Sequence, residues 1–296
     1  GRVRLEDAVV ASSNPEEFML AIRGIEAALP IRTPNNPGWR WRRGDAVAVR
    51  WEKDFSVVAR VTGRGQGDMK KPPVWTRALR RAGGPAGDWA GGHQVHGVRV
   101  RRATAPTAPG EHPATDGLWT ERPGLALRVF SADCVPVFLV DPAGPVALLH
   151  AGWRGVRAGI LTRAVSALRR RHPGFAARVH ATIGPHLRPC CYEIGPDVAA
   201  AFKSIPGAVR RRRGAPGKFT LSLETALRHE ARRLGLRRFS AAPWCTACDT
   251  RFFSYRRDKT EHRQAALLAR RPEPKDDGMD KRLDKLRKSV DKIDDA

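Results

Sequence analysis

Apolar residues are densest between Leu125 and Arg154, and their spacing there is that of strands. Leu125, Leu127 and Val129 alternate with Ala126, Arg128 and Phe130, a two-residue period that predicts a strand with one face more buried. Residues 137–140 form an unbroken apolar run, as in a strand covered on both faces. Pro136 before it suits a strand's first position, because it has no N–H to donate. Residues 146–149 are a third run, after the turn signal Asp141-Pro142-Ala143-Gly144-Pro145. If the second and third strands form a hairpin, the start of one lies beside the end of the other. Cys134 precedes the second and His150 follows the third, so a thiol and an imidazole meet at one sheet edge.

The same patterning extends along the chain. Asn14, Pro15 and Glu17 make a helix start, and Phe18, Ile22, Ile25 and Leu29 continue it at helical spacing. Strands are predicted at 46–51, 55–61, 98–100, 179–183 and 264–268, and helices at 75–81, 196–203 and 223–234. One further helix opens at Gly152-Trp153-Arg154-Gly155, with Val156, Ile160, Leu161, Val165 and Leu168 as a broad buried stripe. In an extended 93–98, Gln94 and His96 share one face and His93 points the other way. Residues 1–36 read as an N-terminal accessory segment, 37–271 as the main domain and 272–296 as a charged tail. The tail's seam at Met279, Leu283, Leu286, Val290 and Ile293 covers only two heptads, too short for a coiled coil.

Composition narrows the class. A chain of 296 residues can bury a sizeable core. Arg128, Asp133 and Asp141 interrupt its longest apolar region, so no membrane span is expected, and no secretory signal is visible. Five cysteines, two of them adjacent, make a poor disulfide framework and suit a reducing cytoplasm. The net charge of +24 favours anionic partners, yet the arginines are spread through nearly every segment. No aromatic RNA-binding signature or zinc-finger spacing accompanies them, so the expectation is weak polyanion association and no specific nucleic acid.

Three side chains carry the candidate chemistry. His96, Cys134 and His150 supply two imidazoles and one thiolate, which can bind Zn²⁺ and leave a fourth position for water or substrate. Their separations are far too wide for a local finger and suit strand ends converging on one site. The competing readings are a buried structural cysteine with two core histidines, and a Cys134–His150 hydrolase acting on cell-wall material. Cys245-Thr246-Ala247-Cys248 lacks the second CxxC of a zinc ribbon, and structural cysteines are expected there. Arg64 sits in a Gly-rich turn, and Arg154 lies near a Gly-flanked helix start, settings that suit an anion.

The local motifs are more specific than the spacing. In chain order they are Gln94-Val95-His96-Gly97, Ala132-Asp133-Cys134-Val135-Pro136-Val137, His150-Ala151-Gly152-Trp153-Arg154-Gly155, Ile183-Gly184-Pro185, Cys190-Cys191-Tyr192-Glu193 and Phe252-Phe253-Ser254-Tyr255-Arg256-Arg257. Over about residues 55–268 this resembles the laccase-domain family, also called multicopper polyphenol oxidase or peptidoglycan editing factor. The resemblance implies an α/β fold of mixed β-sheets layered with helices. It further implies a mononuclear zinc site at His96, Cys134 and His150, and phosphorolysis of purine nucleosides with adenosine deamination at the same site. Gln94, Arg64, Arg154, Arg256 and Arg257 are then candidates for substrate or phosphate contact, and Asp116, Asp133 and Glu193 for proton transfer or for orienting ligands. Two patterns depart from the family's: Thr62-Gly63-Arg64-Gly65-Gln66-Gly67 and Glu261-His262-Arg263. A blue-copper site often adds an axial methionine, and Met19, Met69 and Met279 all lie outside the region from Leu125 to Arg154, so copper is less favoured than zinc.

Overall fold

The computed structural model describes residues 39–42, 46–49, 55–70, 74, 77, 80, 88–107, 112–142, 144–212 and 214–272. The helix expected after Asn14, most of the one at 75–81 and the seam in the tail lie outside the described residues.

The strands in chain order are β1 (Trp39–Arg42), β2 (Ala46–Val49), β3 (Val57–Thr62), β4 (Trp89–Gly91), β5 (Val100–Arg102), β6 (Gly117–Thr120), β7 (Ala126–Ser131), β8 (Val135–Val140), β9 (Val146–Ala151), β10 (His180–Ile183), β11 (Glu193–Ile194), β12 (Val209–Arg211), β13 (Phe219–Leu221), β14 (Arg238–Ala241) and β15 (Gln264–Arg270). The helices are α1 (Trp153–Arg157), α2 (Ile160–Arg171), α3 (Phe175–Arg178), α4 (Pro196–Phe202), α5 (Leu223–Arg233) and α6 (Tyr255–Asp258).

One sheet runs β1-β2-β3-β15-β7-β4, a second runs β14-β10-β8-β9-β6-β5, and β11-β13-β12 form a small third. Both large sheets mix parallel and antiparallel pairs. β8 shows why they stack in layers. Phe138 and Val140 join an apolar cluster with Val47, Val61, Leu127 and Leu268 of the first sheet. Val137 and Leu139 pack instead with Ile160, Leu161, Val165 and Leu227 of the helices. A strand buried on both faces is apolar at every position, which is the pattern of the 137–140 run.

The expected hairpin is present, with Pro136 opposite His150 and Val135 opposite Ala151. β8 starts at Val135, two residues before the expected 137–140 run, and so contains the proline. The Pro136 carbonyl accepts from the Gly184 N–H, 2.9 Å away. Its missing N–H therefore faces that same side, beyond the end of β10 at Ile183, and removes no bond from the β9 ladder. The long helix expected after Gly152 is two helices, broken at Ala158-Gly159, where Gly159 takes φ 81° and the helical ladder cannot continue. Ser222 caps α5 by accepting from the Thr225 N–H at 3.1 Å.

Strand directions decide where chemistry collects. β8 and β9 are antiparallel, as are β9 and β6 and β8 and β10, whereas β5 runs parallel to β6 and β14 parallel to β10. The starts of β5, β6 and β8 and the ends of β9, β10 and β14 therefore lie on one edge of the second sheet.

Candidate metal centre

That edge brings His96, Cys134 and His150 together, one from the loop before β5, one from the turn before β8 and one from within β9. Their ligand atoms all lie within 4.8 Å of one another. The two imidazole rings stand 4.9 Å apart, nearly edge to face.

Asp116, just before β6, organises this group. The His150 Nδ1 is 2.9 Å from Asp116 Oδ1, which leaves the other ring nitrogen for a ligand. The same buried carboxylate accepts from the N–H groups of His96 at 2.9 Å, Gly97 at 2.8 Å and Val95 at 3.2 Å. It thus holds the 95–97 loop and the His150 ring in one frame. Burial alone would raise the Asp116 carboxyl, but His150 and the N–H groups of Gly97 and Val95 hold it below its ordinary value. Burial also resists ionisation of Cys134, yet attraction and hydrogen bonding from His150, then His96, bring its thiol down to about 6. His150 moves the opposite way, raised against its burial by Cys134 and then Asp116. Without a metal the pair is a thiolate beside an imidazolium, and a metal ion would take the place of the imidazolium proton.

Backbone strain and a glycine complete the frame. Asp133 has φ 91° and His96 φ 62°, both in the left-handed region that non-glycine residues seldom occupy. The Asp133 carboxylate compensates by accepting from Thr246 Oγ1 and from the Arg256 N–H, each at 2.6 Å. A Cβ on Gly152 would stand 2.8 Å from His96 Cδ2 and 3.2 Å from Cys134 Sγ, so only glycine fits there.

The three side chains sit in the wall of a cavity of about 840 Å³. Tyr192 and the exposed Tyr255 give it aromatic surface, while Lys70, Arg256 and Arg263 bring positive charge, offset in part by Glu261, which pairs with Lys70 and Arg263. Arg256 is anchored by donating to the Glu193 carbonyl at 2.7 Å and lies over the Tyr192 ring. Tyr192, Tyr255 and Arg263 lie in the quoted motifs but carry no predicted role there, and no sequence signal marks Lys70.

The other expected residues fall as follows. Gln94 lines the cavity, but its amide is engaged with the backbone, donating to the Phe130 carbonyl at 2.8 Å and accepting from the Phe130 N–H at 2.7 Å. His93 also lines the cavity, contrary to the expectation that it faces away. The left-handed turn at His96 breaks the strand-like alternation on which that expectation rested. Arg64, Arg154 and Arg257 are not among the lining residues. Arg64 lies 3.4 Å from Asp258, and Arg154 stacks over Trp153. Arg257 donates to the carbonyls of Thr246, Ala247 and Phe252 and pairs with Asp258. Asp116 and Asp133 position neighbours, and Glu193 pairs outside the cavity with Arg212 and Lys218.

The donor set fits a metal: one thiolate, two imidazoles, a carboxylate-oriented histidine and open space on one side. An α/β layered protein with a His-Cys-His centre at a sheet edge is the class this geometry defines. The chain belongs to the family described as multi-copper polyphenol oxidoreductase laccase, whose model matches residues 73–271. It is 33% identical over 204 residues to the purine nucleoside phosphorylase YlmD of Geobacillus stearothermophilus, covering 64% of this chain and 74% of that one. To the purine nucleoside phosphorylase SCO2081 of Streptomyces coelicolor it is 36% identical over 177 residues, 60% of this chain and 72% of the relative. The crystal structure of YlmD superimposes with a TM-score of 0.72 at 27% identity, covering 80% of this chain and all of that one.

Proposed function

We propose that the protein is a zinc-dependent purine nucleoside phosphorylase acting in the cytoplasm, with His96, Cys134 and His150 as the metal ligands. The observation that carries this is the convergence of the three ligand atoms in the wall of a cavity with aromatic and cationic surface. The names of the relatives supply the reaction class. Zinc when bound supplies Lewis acidity toward a polar atom of the nucleoside. Tyr255 and Tyr192 offer rings to a purine. Arg256, Lys70 and Arg263 hold the phosphate that attacks the sugar. Asp116 keeps His150 in the tautomer that faces the metal, and Asp133 holds the turn that aims Cys134.

Copper is the family name's alternative. Met69, the methionine among the described residues, is fully buried with Val58, Ala265 and Leu267 in a separate apolar cluster, so it offers no axial ligand. No described helix is long and apolar enough to cross a membrane. Five cysteines outside any disulfide fit a reducing compartment.

The test measures zinc content and inosine, adenosine and methylthioadenosine turnover with and without phosphate. Phosphate-dependent release of free base is expected, lost together with one zinc in Cys134→Ser and in His96→Ala. Full activity in metal-free protein that is lost on alkylating Cys134 would establish thiol catalysis instead. Release of ammonia from adenosine without phosphate would read out deamination.

A further inference from the structure

We propose that Cys190, Cys191, Cys245 and Cys248 bind a second Zn²⁺ ion, a closed structural site separate from the His-Cys-His centre. Their four sulfurs all lie within 4.8 Å of one another. Cys248 Sγ is 3.5 Å from Cys190 Sγ and 3.3 Å from Cys191 Sγ. Four thiolates at about 2.3 Å from a tetrahedral zinc stand roughly 3.8 Å apart, so these spacings need only small adjustment. They are too long for a disulfide, whose sulfurs lie about 2.05 Å apart.

Topology makes the cluster. β10 and β14 are parallel neighbours, so the loops after them leave the sheet at the same edge. One loop carries Cys190-Cys191 and the other carries Cys245 and Cys248. The two are tied together before any metal is considered. Thr246 N–H donates to the His186 carbonyl at 3.0 Å, and the Arg188 guanidinium donates to the Ala242 carbonyl at 3.2 Å. The Arg188 N–H points at Cys245 Sγ from 3.5 Å, the kind of N–H to sulfur contact that steadies a metal-bound thiolate. Four protein sulfurs leave no coordination position for substrate, and an all-sulfur tetrahedron selects a soft ion such as zinc. Cys190 and Cys248 are exposed, which gives the ion a path in. As it binds, the four thiols release their protons to solvent.

The location gives the ion a task. Thr246, between Cys245 and Cys248, is fully buried and donates to Asp133, the strained residue preceding Cys134. A pinned Cys245–Cys248 loop therefore holds the turn that aims the catalytic-site thiol.

The full chain, purified without chelator, is analysed for zinc by elemental analysis and native mass spectrometry. Cys134→Ser is expected to retain one zinc per chain, and this protein loaded with Co²⁺ should show the intense absorption of a tetrahedral all-thiolate site. Cys245→Ser/Cys248→Ser should lose one zinc relative to wild type. If that variant does not fold, the metal count and cobalt spectrum of Cys134→Ser carry the test alone. Metal-free Cys134→Ser would overturn the proposal. So would freshly purified wild-type protein two hydrogens lighter, with a disulfide linking the two loops. Neither result bears on nucleoside turnover, so failure here is distinct from failure of the phosphorylase reading.

Discussion

The His-Cys-His centre and the four-cysteine cluster lie at the same edge of one sheet, yet they are built on opposite plans. The first gathers its donor groups from strand ends and adjoining turns locked by a buried carboxylate, and it opens onto a cavity. The second gathers four sulfurs from two loops around one point. Ligand count and openness, more than ligand type, separate a site that can turn over substrate from one that can only hold structure. The two are also joined, because Thr246 in the loop of one supports Asp133 in the turn of the other.

The largest expected effect breaks one site and spares the other. Gly152→Ala forces a methyl against His96 and Cys134, and should remove zinc from the open site and abolish turnover. The four-cysteine site should stay loaded, so elemental analysis should find one zinc. Two zincs with full activity would show that the backbone shifts to admit the methyl.

The thiols themselves should differ next. In chelator-stripped protein, Cys134 keeps its thiolate until the pH falls through about 6. Burial and then Cys248 push Cys190 up to about 11, so it becomes a thiolate only as the pH rises toward that value. Peptide mapping after brief alkylation at neutral pH should find Cys134 modified roughly 100-fold faster. Equal rates would mean that His150 does not sustain the Cys134 thiolate.

Asp116→Asn keeps the shape but loses the charge and one acceptor, and should weaken zinc binding at the open site about 10–100-fold. Competition with a chelator of known affinity measures this. Thr246→Val removes one hydrogen bond to a carboxylate, worth about 1.5–3 kcal/mol. Its effect should fall on turnover by roughly tenfold, with both zincs retained. At the small end, Arg210→Ala/Arg211→Ala alters exposed positions on β12 and should leave turnover unchanged while reducing retention on heparin.

Two unbroken apolar runs with a proline-and-glycine turn between them pointed to the β8–β9 hairpin, which sets Cys134 beside His150. Those signals are local, and so is the pairing they describe. His96 joined the site only through wide spacing and family resemblance, because its position depends on a left-handed turn held by Asp116, which precedes β6. Both halves of the four-cysteine cluster were visible in the chain, but not their meeting. Cys248 lies 58 and 57 residues from Cys190 and Cys191, and the parallel pairing of β10 with β14 is what brings them together. The family's motif arginines were visible in the chain, but which of them reach the cavity was decided by their partners. Arg257 is held by carbonyls of the Cys245–Cys248 loop, while Arg256, one residue earlier, lines the cavity and donates to the Glu193 carbonyl. Periodicity reports which face of an element is buried. Which elements become neighbours, and so which side chains meet, is decided by strand order and direction in the folded sheet.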